Sequence, residues 1–126
     1  MTSPTQRSLA WLRDNGYTVA IVEHWNQYAR IRQDLFGFGD LLAVHPANRD
    51  ILIVQTTSGG NVSARVTKIL QEPRAAVWLA AGGTIQVHGW RKVGPAGKRK
   101  LWALRRVPVT FSDYGAVAAE LAPAPG

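Results

Sequence analysis

Apolar positions along the chain change their period several times, and each change marks an element. Across residues 5–15, Leu9 and Leu12 recur at helical spacing beside Trp11, and Gly16 stands where a helix would stop. That predicts a first helix with Thr5 or Ser8 as its cap. The next run, YTVAIVEHW over 17–25, is rich in β-branched and aromatic residues and predicts a strand. YARIRQD reads as extended, FGFGD as a glycine-broken bend, and LLAVHP as a second or continuing strand stopped by Pro46. Residues 47–50 turn the chain into a third strand, 51–54.

The clearest amphipathic helix is NVSARVTKILQ, 61–71, with Val62, Val66, Ile69 and Leu70 on one stripe and Arg65 and Lys68 beside it. Asn61 or Ser63 is placed to cap it, and Pro73 follows its end. A short helix over 75–81 closes at Gly82 and Gly83. TIQVHGWRK and KLWALRRVPVT then predict two strands joined by VGPAGKR, a β-hairpin in which Trp90 and Trp102 face each other. The order gives an α/β (α+β) domain, a central mixed sheet flanked by helices with a basic C-terminal hairpin. A single domain spans 1–126, its core about 5–90, its hairpin 84–110 and a flexible tail 112–126.

Composition narrows the class. The hydrophobic share is 46%, no run approaches the roughly 18 apolar residues of a membrane span, and the start lacks a basic stretch followed by an apolar segment. Without cysteine there is neither a disulfide scaffold nor a thiolate metal site, so a cytoplasmic protein is expected. Fifteen Lys and Arg against eight Asp and Glu give +7. Between Glu72 and Asp113 there is no acid, while Arg91, Lys92, Lys98, Arg99 and Lys100 all fall there. A one-signed segment of this kind attracts a polyanion, nucleic acid before others; the bland alternative is a solvated hairpin.

One stretch does not fit a simple core strand. ILIVQTTSGG, 51–60, runs from four aliphatic residues straight into hydrogen-bonding side chains. Strand alternation puts 51, 53, 55 and 57 on one face, so Gln55 and Thr57 point the same way. Asp40 opens the preceding strand on a face with Leu42 and Val44, and if the two strands are neighbours it lies beside Gln55. A carboxylate and an amide oxygen are hard ligands suited to Mg²⁺ or Mn²⁺. The alternative is that Asp40 ends a turn and Gln55 satisfies an edge backbone group. His24, His45 and His88 lack the spacing of a zinc motif. Neither a GxxxxGK[ST] nor a GxGxxG loop is present, so no nucleotide cofactor is expected.

Asp40 followed by LLAV, a turn, then ILIV running into Gln55 and Thr57, with a polar turn and a helix after it, resembles the core of the PD-(D/E)XK nuclease superfamily. Within it the chain is most similar to small resolvase-like nucleases, including Holliday-junction resolvases and VRR-NUC-type domains of phages and prophages. The resemblance covers roughly 6–87. It implies a restriction-endonuclease-like core and a homodimeric, Mg²⁺- or Mn²⁺-dependent endonuclease acting on DNA, with branched, Holliday-junction-like DNA among its substrates. In it Asp40 and Gln55 would be metal ligands and Glu23 a third. Thr57 stands where the family has a lysine, and Lys68 on the following helix would supply the displaced positive charge. Arg30, Arg32, Ser58, Arg65, Arg91, Lys92, Lys98, Arg99 and Lys100 would bind DNA phosphates. A second expectation follows from Gln55 and Thr57: the same fold without catalysis, serving as a DNA-binding or assembly module.

Overall fold

In the computed structural model, residues 2–95, 97 and 100–110 are described. Lys98, Arg99 and the tail expected over 112–126 lie outside them. The chain is α+β, with helices on both faces of a five-stranded mixed sheet. Helix α1, Pro4–Asp14, precedes β1 (Thr18–Ile21), β2 (His24–Asn26), β3 (Ile31–Gln33), β4 (Leu41–His45) and β5 (Asp50–Ser58). Helices α2 (Val62–Leu70) and α3 (Pro73–Ala80) lead into β6 (Thr84–Val93) and β7 (Leu101–Val109). The sheet order is β1-β4-β5-β6-β7, and only β5 and β6 run parallel, as the helical crossover between them requires. Strands β2 and β3 form a separate two-stranded sheet. Among the described residues no helix is long and apolar enough to cross a membrane.

Alternation along the strands builds two cores. Leu41, Ala43, Leu52 and Val54 meet Leu9 and Leu12 of α1 on one face. Ile53, Ile85, Val87 and Val109 meet Val62, Ile69 and Ala75 on the other, with Phe38 buried among them. A strand with apolar residues on both faces reads as a continuous hydrophobic run, which is why LIV in β5 does not alternate. The polar row is therefore not a strand end: β5 continues through Gln55, Thr56 and Thr57 to Ser58, pairing with β6 along the way.

Several boundaries differ from expectation for local reasons. Ser3, not Thr5 or Ser8, caps α1; its side chain accepts the Gln6 N–H, and Pro4 opens the helix without a missing donor. Gly16 does end α1, at φ +90°, with the Tyr17 N–H reaching back to the Leu12 carbonyl. The single strand expected over 17–25 breaks at Val22 and Glu23, whose N–H groups both turn to the Asp40 carbonyl. Asn61 makes no side-chain cap on α2. Trp90 and Trp102 are not opposite each other, since Trp90 pairs with Leu104 and Lys92 with Trp102.

Trp90 serves the packing of α1 instead. Its indole N–H donates to Ser8 Oγ at 2.8 Å, and the Ser8 hydroxyl shares a further hydrogen bond with His88 Nδ1 at 2.9 Å. His88 Nε2–H then donates to Gln86 Oε1 at 3.0 Å. Burial, with the Arg106 charge adding, pushes the imidazole pKa from 6.5 down to about 4. A base depressed in the folded state contributes stability that is complete above its unfolded pKa and lost as pH falls. The folded state is therefore expected to lose about 3 kcal/mol through this group as pH falls from 6.5 to about 4. Urea unfolding of the protein and of His88→Gln at those two pH values measures it as the difference between them, in which the opposing titration of other groups cancels; a difference independent of pH would assign the acid sensitivity elsewhere.

Candidate functional site

The bend between β3 and β4 sets up the site. Leu35 and Gly39 exchange backbone hydrogen bonds at 2.9 and 2.8 Å, folding the chain back on itself and driving Phe38 into the core. Only glycine fits at 39, because a Cβ there would lie 2.8 Å from Ile53 Cγ2. The bend leaves Asp34 and Asp40 at its two ends. The Asp40 N–H donates to the Val54 carbonyl at 2.9 Å, extending the Leu41↔Val54 register so that Asp40 comes to lie alongside Gln55. Its carbonyl accepts from Val22 and Glu23, which fixes Glu23 next to it.

Three carboxylates thus converge: ligand oxygens of Glu23, Asp34 and Asp40 all lie within 4.8 Å of one another. They open on a cavity of about 300 Å³ that Gln55, Thr56, Arg32 and Arg65 also line. Asp40 is 5% exposed, and its Oδ2 accepts from the Thr56 N–H at 2.7 Å and the Thr56 hydroxyl at 3.1 Å. Burial, and then the hydrogen bond shared with Glu23, push the Asp40 carboxyl up to about 7; the Asp34 and Glu23 charges add, and the Thr56 N–H opposes. Asp34 is raised too, by burial first, with Lys68 pulling the other way. Arg32 Nη1 lies 3.4 Å from Glu23 Oε1.

Gln55 is 2% exposed, and its Oε1 is buried without a hydrogen-bond partner. An orphaned buried acceptor costs about 1–3 kcal/mol, so it calls for a donor or a cation. Arg65 Nε is likewise buried and unpartnered on the same cavity. Three carboxylates and a free amide oxygen, with no sulfur and no imidazole among them, make a hard-oxygen donor set that fits Mg²⁺ or Mn²⁺.

Of the residues singled out from sequence, Asp40, Glu23 and Gln55 come together here, with Arg32 and Arg65. Thr57 is 6% exposed but does not line the cavity. Lys68 is exposed and reaches the site only through its charge on Asp34. Ser58, at the end of β5, is exposed and accepts from Asn61 Nδ2 at 2.9 Å. Arg91 lines a second cavity of about 440 Å³ with Arg105 and Gly59, outside the acidic one. Lys92 lies 5.4 Å from the centre of the Trp102 ring, Lys100 is exposed at the start of β7, and Arg30 is exposed in the β2–β3 turn. Asp34 and Thr56 were missed. The signal for Asp34 was available, since DLFGFGD carries an acid at each end of a glycine-rich bend.

Comparison with protein-family models, curated proteins and solved structures returned no match. The functional reading therefore rests on this geometry and on the residues themselves.

Proposed function

We propose that the protein is a divalent-metal-dependent endonuclease that hydrolyses DNA phosphodiesters. The carrying observation is the convergence of Glu23, Asp34 and Asp40 on one cavity with the unpartnered Gln55 oxygen, in a chain of net charge +7. The topology supports the resemblance to the PD-(D/E)XK core: α1, then three antiparallel strands β1, β4 and β5, a helical crossover, and β6 parallel to β5. A divalent ion bound there would contribute charge neutralisation at the phosphate and activation of water. Asp40 and Asp34 supply the negative charge that retains such an ion, and Gln55 a neutral oxygen. Thr56 holds the Asp40 carboxylate in place through two hydrogen bonds. Branched DNA as substrate and a homodimer as the working form belong to the same proposal.

Arg65, rather than Lys68, takes the role of the missing lysine. It lines the cavity with a free Nε, whereas threonine at 57 carries no charge. That same threonine favours the second reading, a degenerate nuclease fold that binds DNA without cutting. Supercoiled plasmid and a synthetic four-way junction, each incubated with Mg²⁺, Mn²⁺ or chelator, separate the two. Divalent-dependent cutting is expected, reduced on the order of a hundredfold in Arg65→Ala and little changed in Lys68→Ala. Binding without cutting under every condition establishes the module, and the opposite ranking of the two variants returns the role to Lys68.

A further inference from the structure

The β2–β3 hairpin carries side chains that the fold does not use. Trp25 is 60% exposed, Tyr28 93% and Ile31 51%. Among the described residues no ring contact or hydrogen bond of the Trp25 side chain is present. The hairpin is ordered by other groups: Asn26 Oδ1 accepts the N–H groups of Tyr28 and Ala29, both at 3.0 Å, and His24 Nε2 lies 3.0 Å from Gln33 Oε1. A two-stranded ribbon is marginal in water, so these polar clamps hold a shape on which the aromatic groups are displayed rather than buried.

The chemistry of this surface is specific. Residues 24–33 contain Arg30 and Arg32 and no acid; Arg30 is exposed, while Arg32 is paired with Glu23 at 3.4 Å. Flat apolar rings interleaved with guanidinium groups suit unpaired bases, whose faces stack on aromatics while phosphates meet the cations. A duplex hides those faces. A second copy of the chain fits poorly, because joining two hairpins would set the Arg30 charges of both copies against one another. Trp25 is directly opposite Arg32 in the antiparallel register, hence on the same face, and Arg32 lines the acidic cavity. A base stacked on Trp25 would lie at the mouth of that cavity.

We infer that the β2–β3 hairpin is a platform for unpaired DNA, with Trp25 as its stacking surface, so that the substrate carries a single-stranded or branched segment beside the scissile phosphate. This rests on the nuclease reading for its consequence but not for its test. Anisotropy of a labelled single-stranded oligonucleotide and of its blunt duplex is measured in chelator, where no cutting occurs, with folding of each variant checked by circular dichroism. Trp25→Ala is expected to weaken single-strand binding about tenfold and leave duplex binding nearly unchanged, while Trp25→Phe keeps most of the affinity. Equal single-strand affinity of Trp25→Ala and the unsubstituted protein overturns the inference. So does equal loss on both DNAs, or a dimer that Trp25→Ala converts to monomer with single-strand binding intact. Absence of cleavage in the presence of metal bears on the nuclease reading alone.

Discussion

Asp40→Ala is expected to abolish divalent-dependent DNA cleavage, with a loss on the order of a thousandfold, while the chain stays folded. Asp40 sits at the centre of the carboxylate cluster, yet the bonds that build the site there are made by its main chain. Its N–H holds Val54 and its carbonyl holds Val22 and Glu23, and none of these depends on the side chain. The substitution therefore removes charge from the cavity without dismantling the bend. What it does leave behind is the Thr56 N–H without its acceptor, a cost of about 1 kcal/mol that a melting curve registers in acid, where Asp40 is protonated and its charge contributes nothing. DNA affinity in chelator should hold or rise slightly, since one negative charge leaves a surface that must approach phosphates. Initial rates on supercoiled plasmid, with affinity measured in parallel, make the check. Cleavage at the unsubstituted rate would remove the acidic cavity from the chemistry altogether.

The pairing of Asp40 with Gln55 was legible because strand alternation is a strict period of two and the intervening turn is short. Once two adjacent strands are read, the polar residues at matching ends must meet. Asp34 and Glu23 were harder for a physical reason. Asp34 lies at a bend without periodicity and Glu23 inside a run that reads as one unbroken strand, and their approach to Asp40 is set by tertiary backbone bonds: the Leu35–Gly39 exchange and the Asp40 carbonyl that captures Val22 and Glu23. The helix after β5 shows a finer limit. Arg65 and Lys68 are three residues apart on α2, close enough that hydrophobic periodicity places both beside the apolar stripe, yet only Arg65 lines the cavity. Thr57 was placed on the correct face with Gln55 but lies farther along β5, where it pairs with Gly89 of β6, and Thr56 on the other face became the partner of Asp40. The exposed Trp25 of β2 and Ile31 of β3 looked like ordinary strand residues, because a composition that favours a strand says nothing about whether that strand joins the main sheet.

Asp40→Asn is expected to stabilise the metal-free protein, and to do so only at higher pH. The Asp40 carboxyl is raised from 3.8 to about 7, so the folded state binds its proton more tightly than the unfolded chain does. For a group raised in this way, stability is fully present below the unfolded pKa and is lost as pH rises through the folded one. The loss accumulates between 3.8 and about 7 and reaches, as an upper bound, about 4 kcal/mol above it. Asparagine keeps the shape and an oxygen for Thr56 but never ionises. The difference in unfolding free energy between variant and unsubstituted protein should thus be near zero in acid and grow to several kcal/mol in mild alkali. Taking the difference matters, because His88 acts in the opposite sense over the same range and would mask the trend in either protein alone. Saturating Mn²⁺ should raise the melting temperature of the unsubstituted protein most where Asp40 is ionised and scarcely change that of the variant, since a bound cation offsets the repulsion among Asp40, Asp34 and Glu23. Denaturant titrations across pH in chelator, repeated with Mn²⁺, measure both effects. A difference independent of pH would mean that Asp40 carries no such strain, and with it would go the case that these carboxylates are gathered for a cation.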